Sequence, residues 1–321
     1  MKTCLILALD GSPLTSVSGP LEILGLANRQ AGAEHRLQLR VVAESAASIE
    51  GAGGLTLSSH SQLSEEQRPA DLIIIAAIGH PQQRTEPIAA QTLEWLRDQH
   101  QQGAEIATIC TGAFVLAETG LLNGHRATTH WACDGLFRQR FPDIELHCEE
   151  MITESERLLC SGGASAFQDM SLHLVRRYMG EAIARQCARS LLVDLDRHSQ
   201  LRYQSFVPGR QHNDALVHQL QDWLGANFAR ECTLPELAKQ VHLSERQMIR
   251  RFKTATGEAP LAYIQALRIE QAKTMLASTS NRIEQISLDS GYQDVRFFRN
   301  LFKRHTGLSP TEFRHKFSMG K

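Results

Sequence analysis

Two nine-residue stretches near the C-terminus almost repeat each other: FKTATGEAP at 252–260 and FKRHTGLSP at 302–310. The repeat extends upstream. Leu237-Ala238 stands 49 residues before Ile286-Ser287, and Leu243 stands 49 before Tyr292. Phe252, Gly257 and Pro260 stand 50 before Phe302, Gly307 and Pro310, so one residue is inserted between the two registers. Each copy reads as a short helix, a tight turn, a second helix ending in Phe-Lys, then glycine, proline and a third helix. A small residue in the first helix, Ala238 or Ser287, lets two helices cross closely. Met248 with Phe252, and Phe298 with Phe302, lie four apart and share one buried helix face. This punctuation, written twice, constrains the C-terminal region to two helix-turn-helix units, whose second helices are free to enter a major groove.

The outward faces of those second helices carry Arg246, Gln247, Arg250 and Arg251 in the first copy. The second copy carries Arg296, Arg299 and Asn300, with Lys303 and Arg304 beyond. Arginine suits guanine edges and phosphates; asparagine and glutamine suit adenine edges. Pro260–Ala277 predicts a connecting helix about 27 Å long at 1.5 Å per residue, of the order of the ~34 Å of one duplex turn. Helix starts are expected where a capping side chain precedes Glu or Gln by three: Thr233, Ser244 and Asn281, with Ser309-Pro310 adding a first-turn proline. Charge points the same way. From Asp214 onward there are 16 basic and 11 acidic residues; the rest of the chain has 18 and 24. A basic end on an acidic body fits a nucleic-acid partner.

The first part of the 321-residue chain is organised differently. Apolar runs of strand length lie at Thr3–Leu9, Leu37–Val42, Asp71–Ala77, Glu105–Ile109 and Leu158–Cys160. Helical patterns lie between and after them at Pro20–Arg29, Thr92–Gln102, Ala113–Thr119, Trp131–Arg140 and Met170–Tyr178. Strands apolar throughout and separated by helices predict an α/β doubly wound, flavodoxin-like domain, with its ligand site at the carboxyl ends of the strands. The expected organisation is therefore 1–196 as this domain, 197–213 as a polar linker, and 214–321 as an all-α domain.

Seven scattered cysteines without a CxxC pair argue for reduced thiols in a cytoplasm, with no metal cluster and no disulfide scaffold. The opening MKTCLILALD weakly resembles a signal peptide, but Asp10 cuts the run short, so a first buried strand is expected. No stretch approaches ~20 apolar residues, so no membrane partner is expected.

EIATICTGAFVLAETGLLNGHRATTHW, residues 105–131, holds the chemistry. An apolar strand ends, Cys110 follows, then Thr111-Gly112 and a helix. This is the layout of a nucleophile elbow, whose sharp turn needs a small residue at Gly112. The helix start is expected to favour the thiolate of Cys110, and His130 stands 20 residues on as a candidate general base. Spacing alone leans to a buried filler cysteine and a turn histidine.

SERQMIRRFKTATGEAP and SGYQDVRFFRNLFKRHTGLSPTEFR resemble the recognition segments of the AraC/XylS family of bacterial transcription regulators. The resemblance covers about Asp214 to Phe317. It implies binding of promoter or operator DNA, contact with RNA polymerase if the protein activates, and a homodimer. Carried over by position, the base-reading candidates are Arg246, Ile249 and Arg250, then Val295, Arg296, Arg299 and Asn300. Residues 1 to about 195 resemble the DJ/PfpI superfamily, relatives of class I glutamine amidotransferase domains. Cys-x-Gly and Thr-Thr-His-Trp match by position and make Cys110 and His130 its nucleophile and histidine. Ser161-Gly-Gly-Ala-Ser165 followed by Asp169 resembles the loop that walls its pocket. The order of domains resembles the GlxA-like subfamily.

One departure bears on activity. Enzymes of the superfamily place an acid against the cysteine from the loop after the first strand. Here that loop, after Asp10, offers only serine and threonine, and Glu22 either faces the site or merely favours the start of its helix. The expectation is a pocket kept for a small-molecule effector, with no catalysis, no cofactor and no metal. Its residues would be Glu22, Gly79, Cys110, Thr111, Gly112, His130, Trp131, Gly162 and Gly163. Trp131 either offers a cation–π face to a quaternary amine or packs in the core. The resemblance implies effectors that are small nitrogen compounds such as amino acids and betaines. The alternative is a cysteine-dependent hydrolase or amidase, or a glyoxal-detoxifying activity, fused to a DNA-binding domain.

Overall fold

A computed structural model describes every residue except 45, 46, 85, 196, 211 and 319–321. Residues 196 and 321, expected as the last of the first and third segments, thus lie outside the described residues. The chain divides into two units, Met1–Gln200 and Leu201–Lys321.

The first unit runs β1 (Lys2–Ala8), α1 (Thr15–Gln30), β2 (Leu37–Ala43), β3 (Ser48–Glu50), β4 (Thr56–Ser58), β5 (Ser61–Gln62), β6 (Leu72–Ile75), α2 (Ala90–Gln101), β7 (Glu105–Ile109), α3 (Gly112–Glu118), β8 (Arg126–Ala127), α4 (Asp134–Arg140), β9 (Glu145–Leu146), β10 (Ile152–Ser155), β11 (Leu158–Ser161), α5 (Ala166–Met179) and α6 (Glu181–Leu191). Seven strands form one sheet in the order β10-β11-β7-β6-β1-β2-β5. All neighbours are parallel except the edge pair β10–β11. Alternation along β1 shows why its apolar run is continuous. Cys4, Ile6 and Ala8 pack with α1, α5 and α6 on one face, while Leu5, Leu7 and Leu9 pack with α2, α3 and α4 on the other. A strand covered on both faces has no position for a polar residue. The expected doubly wound fold is therefore present, and all five expected strands stand in its sheet.

The second unit is helical: α7 (Ala215–Asn227), α8 (Leu234–Gln240), α9 (Glu245–Thr256), α10 (Pro260–Ser278), α11 (Ile283–Asp289), α12 (Val295–Thr306) and α13 (Pro310–Phe317). The repeat becomes two small cores. Leu237, Ala238, Met248 and Phe252 form one with α7 and the first half of α10, through Tyr263 and Ile264. Ile286, Phe298, Phe302 and Phe313 form the other with the second half of α10, through Ile269, Ala272 and Leu276. The repeated glycines end α9 and α12 in the left-handed region, at φ +81° for Gly257 and +72° for Gly307, as helix-ending glycines do. Ser244 and Ser309 form the expected capping boxes. Thr233 begins α8 without a side-chain bond, and Arg282 rather than Asn281 occupies the cap of α11. Asp294 caps α12 instead, accepting from the amides of Arg296 and Phe297 at 2.8 and 3.0 Å.

Within the stretch 197–213, residues 197–206 are packed chain. Arg197 pairs with Asp169 at 2.6 Å, His198 accepts from the Met151 amide, and Gln200 is buried. These residues belong to the first unit, which moves its end from 196 to 200. Beyond them, Phe206 joins the first helical core and its amide donates to Glu270 at 3.1 Å. Polar composition reads as linker, yet here the polar groups bond to backbone and side chains of the units they border.

Candidate functional site

The elbow is built from three strand ends. β7 stops at Ile109, and Cys110 takes φ +54°, a left-handed conformation rare for a residue with a side chain. Its amide donates to the Ser161 carbonyl at 2.8 Å, and its carbonyl accepts from the Thr129 hydroxyl at 3.0 Å. A Cβ on Gly112 would lie 2.7 Å from the carbonyl oxygens of both Ile75 and Ala76, so only glycine lets α3 start this close to β6. The Thr111 hydroxyl accepts from the Ile78 amide at 3.0 Å, fixing the turn that leads to Gly79 at φ +73°.

Cys110 is 6% exposed. Burial pushes its thiol up to about 12, against smaller opposing hydrogen bonds from Thr111 and Gly163. The expectation that the helix start favours thiolate is thereby overturned: desolvation outweighs the few amides of a seven-residue helix. His130 is half-buried, and burial, together with the neighbouring His80, holds its imidazole below the usual range. Its Nδ1 accepts from the Ala132 amide at 3.1 Å. Among the described residues no hydrogen bond joins His130 to Cys110. A neutral thiol and a neutral imidazole that is already engaged elsewhere lack the ion pair of an activated nucleophile.

No acid replaces it from the first loop. The Asp10 carboxylate accepts from the Glu50 amide at 3.0 Å. Ser16, buried, accepts from the Ala77 amide at 3.1 Å and donates to Pro13 at 2.7 Å. Glu22 is exposed and lines a groove on α1 with Leu26, Arg29, Phe167 and Leu191.

The opposite wall depends on a residue that the sequence did not single out. Gln200 is 1% exposed. Its carboxamide nitrogen lies 3.1 Å from the Thr128 hydroxyl, 2.9 Å from the Thr129 carbonyl and 3.0 Å from the Glu150 carbonyl. Its carboxamide oxygen accepts from the Trp131 amide at 3.2 Å. A Cβ on Gly162 would meet that nitrogen at 1.8 Å, which explains the glycine; Gly163 beside it has φ +90°. The structure thus ties Thr111, Thr129 and Gly163 to Cys110 or its turn by hydrogen bonds, packs Gly112 against the end of β6, and places Trp131 and Gly162 against Gln200; Gly79 follows the bonded Ile78, and His130 precedes Trp131.

On the helical unit, Arg246 and Arg250 are exposed on α9 and enter no ion pair among the described residues. Gln247 is exposed but spends its oxygen on the Ser244 cap, and Arg251 is tied to Asp214. Ile249 packs partly into the first core. On α12, Arg296 and Asn300 are exposed and Val295 is half-buried. Arg299 pairs with Glu284 at 2.9 Å, both well exposed. Phe297, which the sequence reading passed over, is 47% exposed on this helix. The Phe297-Phe298 pair carried the signal, since a helix can bury only one of two successive residues on one face.

Comparison with known proteins agrees with both halves. Residues 1–177 match the DJ-1/PfpI family, and residues 237–316 match a helix-turn-helix domain. The HTH-type transcriptional regulator GbdR of Pseudomonas aeruginosa is 26% identical over 322 residues, covering 98% of this chain and 84% of the relative. The HTH-type transcriptional regulator CdhR of the same species is 26% identical, covering 96% and 90%. A crystal structure of a transcriptional regulator protein from Vibrio parahaemolyticus, itself assigned only by similarity, superposes at TM-score 0.54 with 27% identity, over 59% of this chain and 98% of that one. GbdR and CdhR, matched over most of this chain, carry the names of regulators and not of enzymes. The chain belongs to the DJ-1/PfpI family, and with its C-terminal helix-turn-helix domain it is a DNA-binding transcription regulator.

Proposed function

We propose that a small molecule at the carboxyl ends of β6, β7 and β11 governs how α9 and α12 engage an operator. One observation carries this reading: the elbow and its wall are kept in full bonded detail while the Cys110 thiol is held neutral at about 12. Such a site favours binding over nucleophilic attack. The effector is a small polar molecule, a nitrogen compound such as an amino acid or betaine, as the resemblance to the GlxA-like subfamily implies. The DNA-contacting set is Arg246, Arg250, Arg296 and Asn300, supported by Gln247, Ile249, Arg251, Val295 and Arg299 around them. Differential affinity of the effector for two arrangements, typically ~1–3 kcal/mol, sets the size of the response. The working form is a cytoplasmic homodimer that meets RNA polymerase if it activates.

A second reading, a cysteine-dependent hydrolase, amidase or glyoxal-removing activity, draws on the left-handed φ of Cys110, the backbone of a working elbow. A thermal-shift screen separates the two. The purified chain and its Cys110→Ala variant are tested against amino acids, betaines, polyamines and short acids. The sensor reading expects a compound that raises the melting temperature of both and is recovered unchanged. Consumption of the compound, with turnover lost in Cys110→Ala, overturns it.

A further inference from the structure

Arg197 to Tyr203 crosses from one unit to the other without spare chain. On the first unit, the Gln200 amide donates to the Glu149 carbonyl at 2.9 Å. Its side chain braces the Thr128–Trp131 wall and fills the space that a side chain at Gly162 would need. One peptide bond later the second unit begins. There Leu201–Tyr203 forms a short 3-10 turn packed on α12. The Tyr203 ring lies 5.9 Å from the Phe317 ring in α13, with the Lys316 ammonium 6.0 Å over it. Adjacent residues therefore hold the wall of the elbow site and the second recognition helix.

We propose that Gln200 is the positioning residue that couples the wall of the effector site to α12, with Gln200–Tyr203 as the transmitting span. The inference rests on the reading that the effector sits at this site. A carboxamide has one acceptor oxygen and two donor hydrogens, and here both ends are engaged with a wall of backbone groups. Hydrogen bonds of this kind weaken steeply with displacement and angle, and the buried carboxamide has no water to turn to. An effector that pushes the Thr128–Trp131 wall or the Gly162–Gly163 loop must carry Gln200 with it or break these bonds. A single peptide bond separates Gln200 from the turn on α12.

Hydrogen exchange on the full chain, with no effector added, tests this. Gln200→Met keeps the bulk and removes the polar ends; Gly162→Ala intrudes from the site side. Both are expected to speed exchange about tenfold or more in segments 128–133, 197–206 and 295–306, while β1 keeps its rate. Both are expected to change the Kd for a duplex selected from a random pool by about fivefold or more. Effects confined to residues before 200, with α12 and the Kd unchanged in either variant, overturn the coupling. If β1 also opens, the variant has unfolded, and Gln200→Asn, shorter by one methylene, takes its place under the same criteria. Failure of the coupling while the thermal screen still finds a bound compound refutes Gln200 alone. Intact coupling with no compound bound refutes the site reading.

Discussion

Cys110 shows how one residue can keep the geometry of a reaction without its chemistry. The elbow holds the thiol at a strand end, but the same closeness strips water from it, and desolvation raises the thiol to about 12. Iodoacetamide labelling followed by peptide mass mapping checks this. Labelling of Cys110 in the native chain is expected to rise about tenfold per pH unit and to be still rising at pH 10, whereas an ordinary thiol levels off near 9. A plateau below pH 8 would reveal an activated thiolate. The cysteine and Gly112 were legible in the sequence because an elbow fixes their spacing along the chain, and His130 only through the resemblance of Thr-Thr-His-Trp to a family pattern. Gln200 was not, because its partners stand 50 to 72 positions away. Nothing local distinguishes it from the polar residues around it.

At the scale of elements, the long apolar strands and the repeated helices were readable, and the short pieces were not. β3 with β4, and β8 with β9, are pairs of two or three residues whose register comes from tertiary packing. α6 escaped notice because the face it buries is Ala184, Cys187 and Ala188, too small to mark a helical period. In the second unit the helix pattern located α12, but only the fold shows that Arg299 is held by Glu284 from α11. That pair is exposed at both ends and therefore weak. Glu284→Ala is expected to leave the melting temperature nearly unchanged and to tighten binding to duplex DNA. The slope of log K against log salt should steepen by up to about 0.9, one extra phosphate contact. Titrations at several salt concentrations decide it; an unchanged slope means that Arg299 already lets go of Glu284 on DNA or never touches it.

Across the whole molecule, two units differ in the sign of their charge balance, and that contrast was visible in composition and periodicity before any coordinate. The junction was not, since packed polar chain and loose polar chain share a composition. Buried thiols also set a property of the whole fold. Cys110 and Cys160 are raised to about 12 and 11 from an ordinary 9, and Cys4 and Cys148 are raised as well, mainly by burial. A folded-state value above the unfolded one stabilises the fold fully below pH 9, and that stability is lost as pH climbs from 9 through the folded values. Urea midpoints are accordingly expected to hold steady to about pH 8.5 and to fall progressively above 9, a trend weakened in Cys110→Ala. A flat profile from pH 8 to 10.5 would contradict the raised values.

Six of the seven cysteines are buried, and the one placed at the elbow keeps its proton. Peroxide attacks thiolates far faster than thiols. The same burial that holds Cys110 protonated is therefore expected to slow its oxidation, so that on the proposed reading the site answers to the shape of what fills it and not to peroxide.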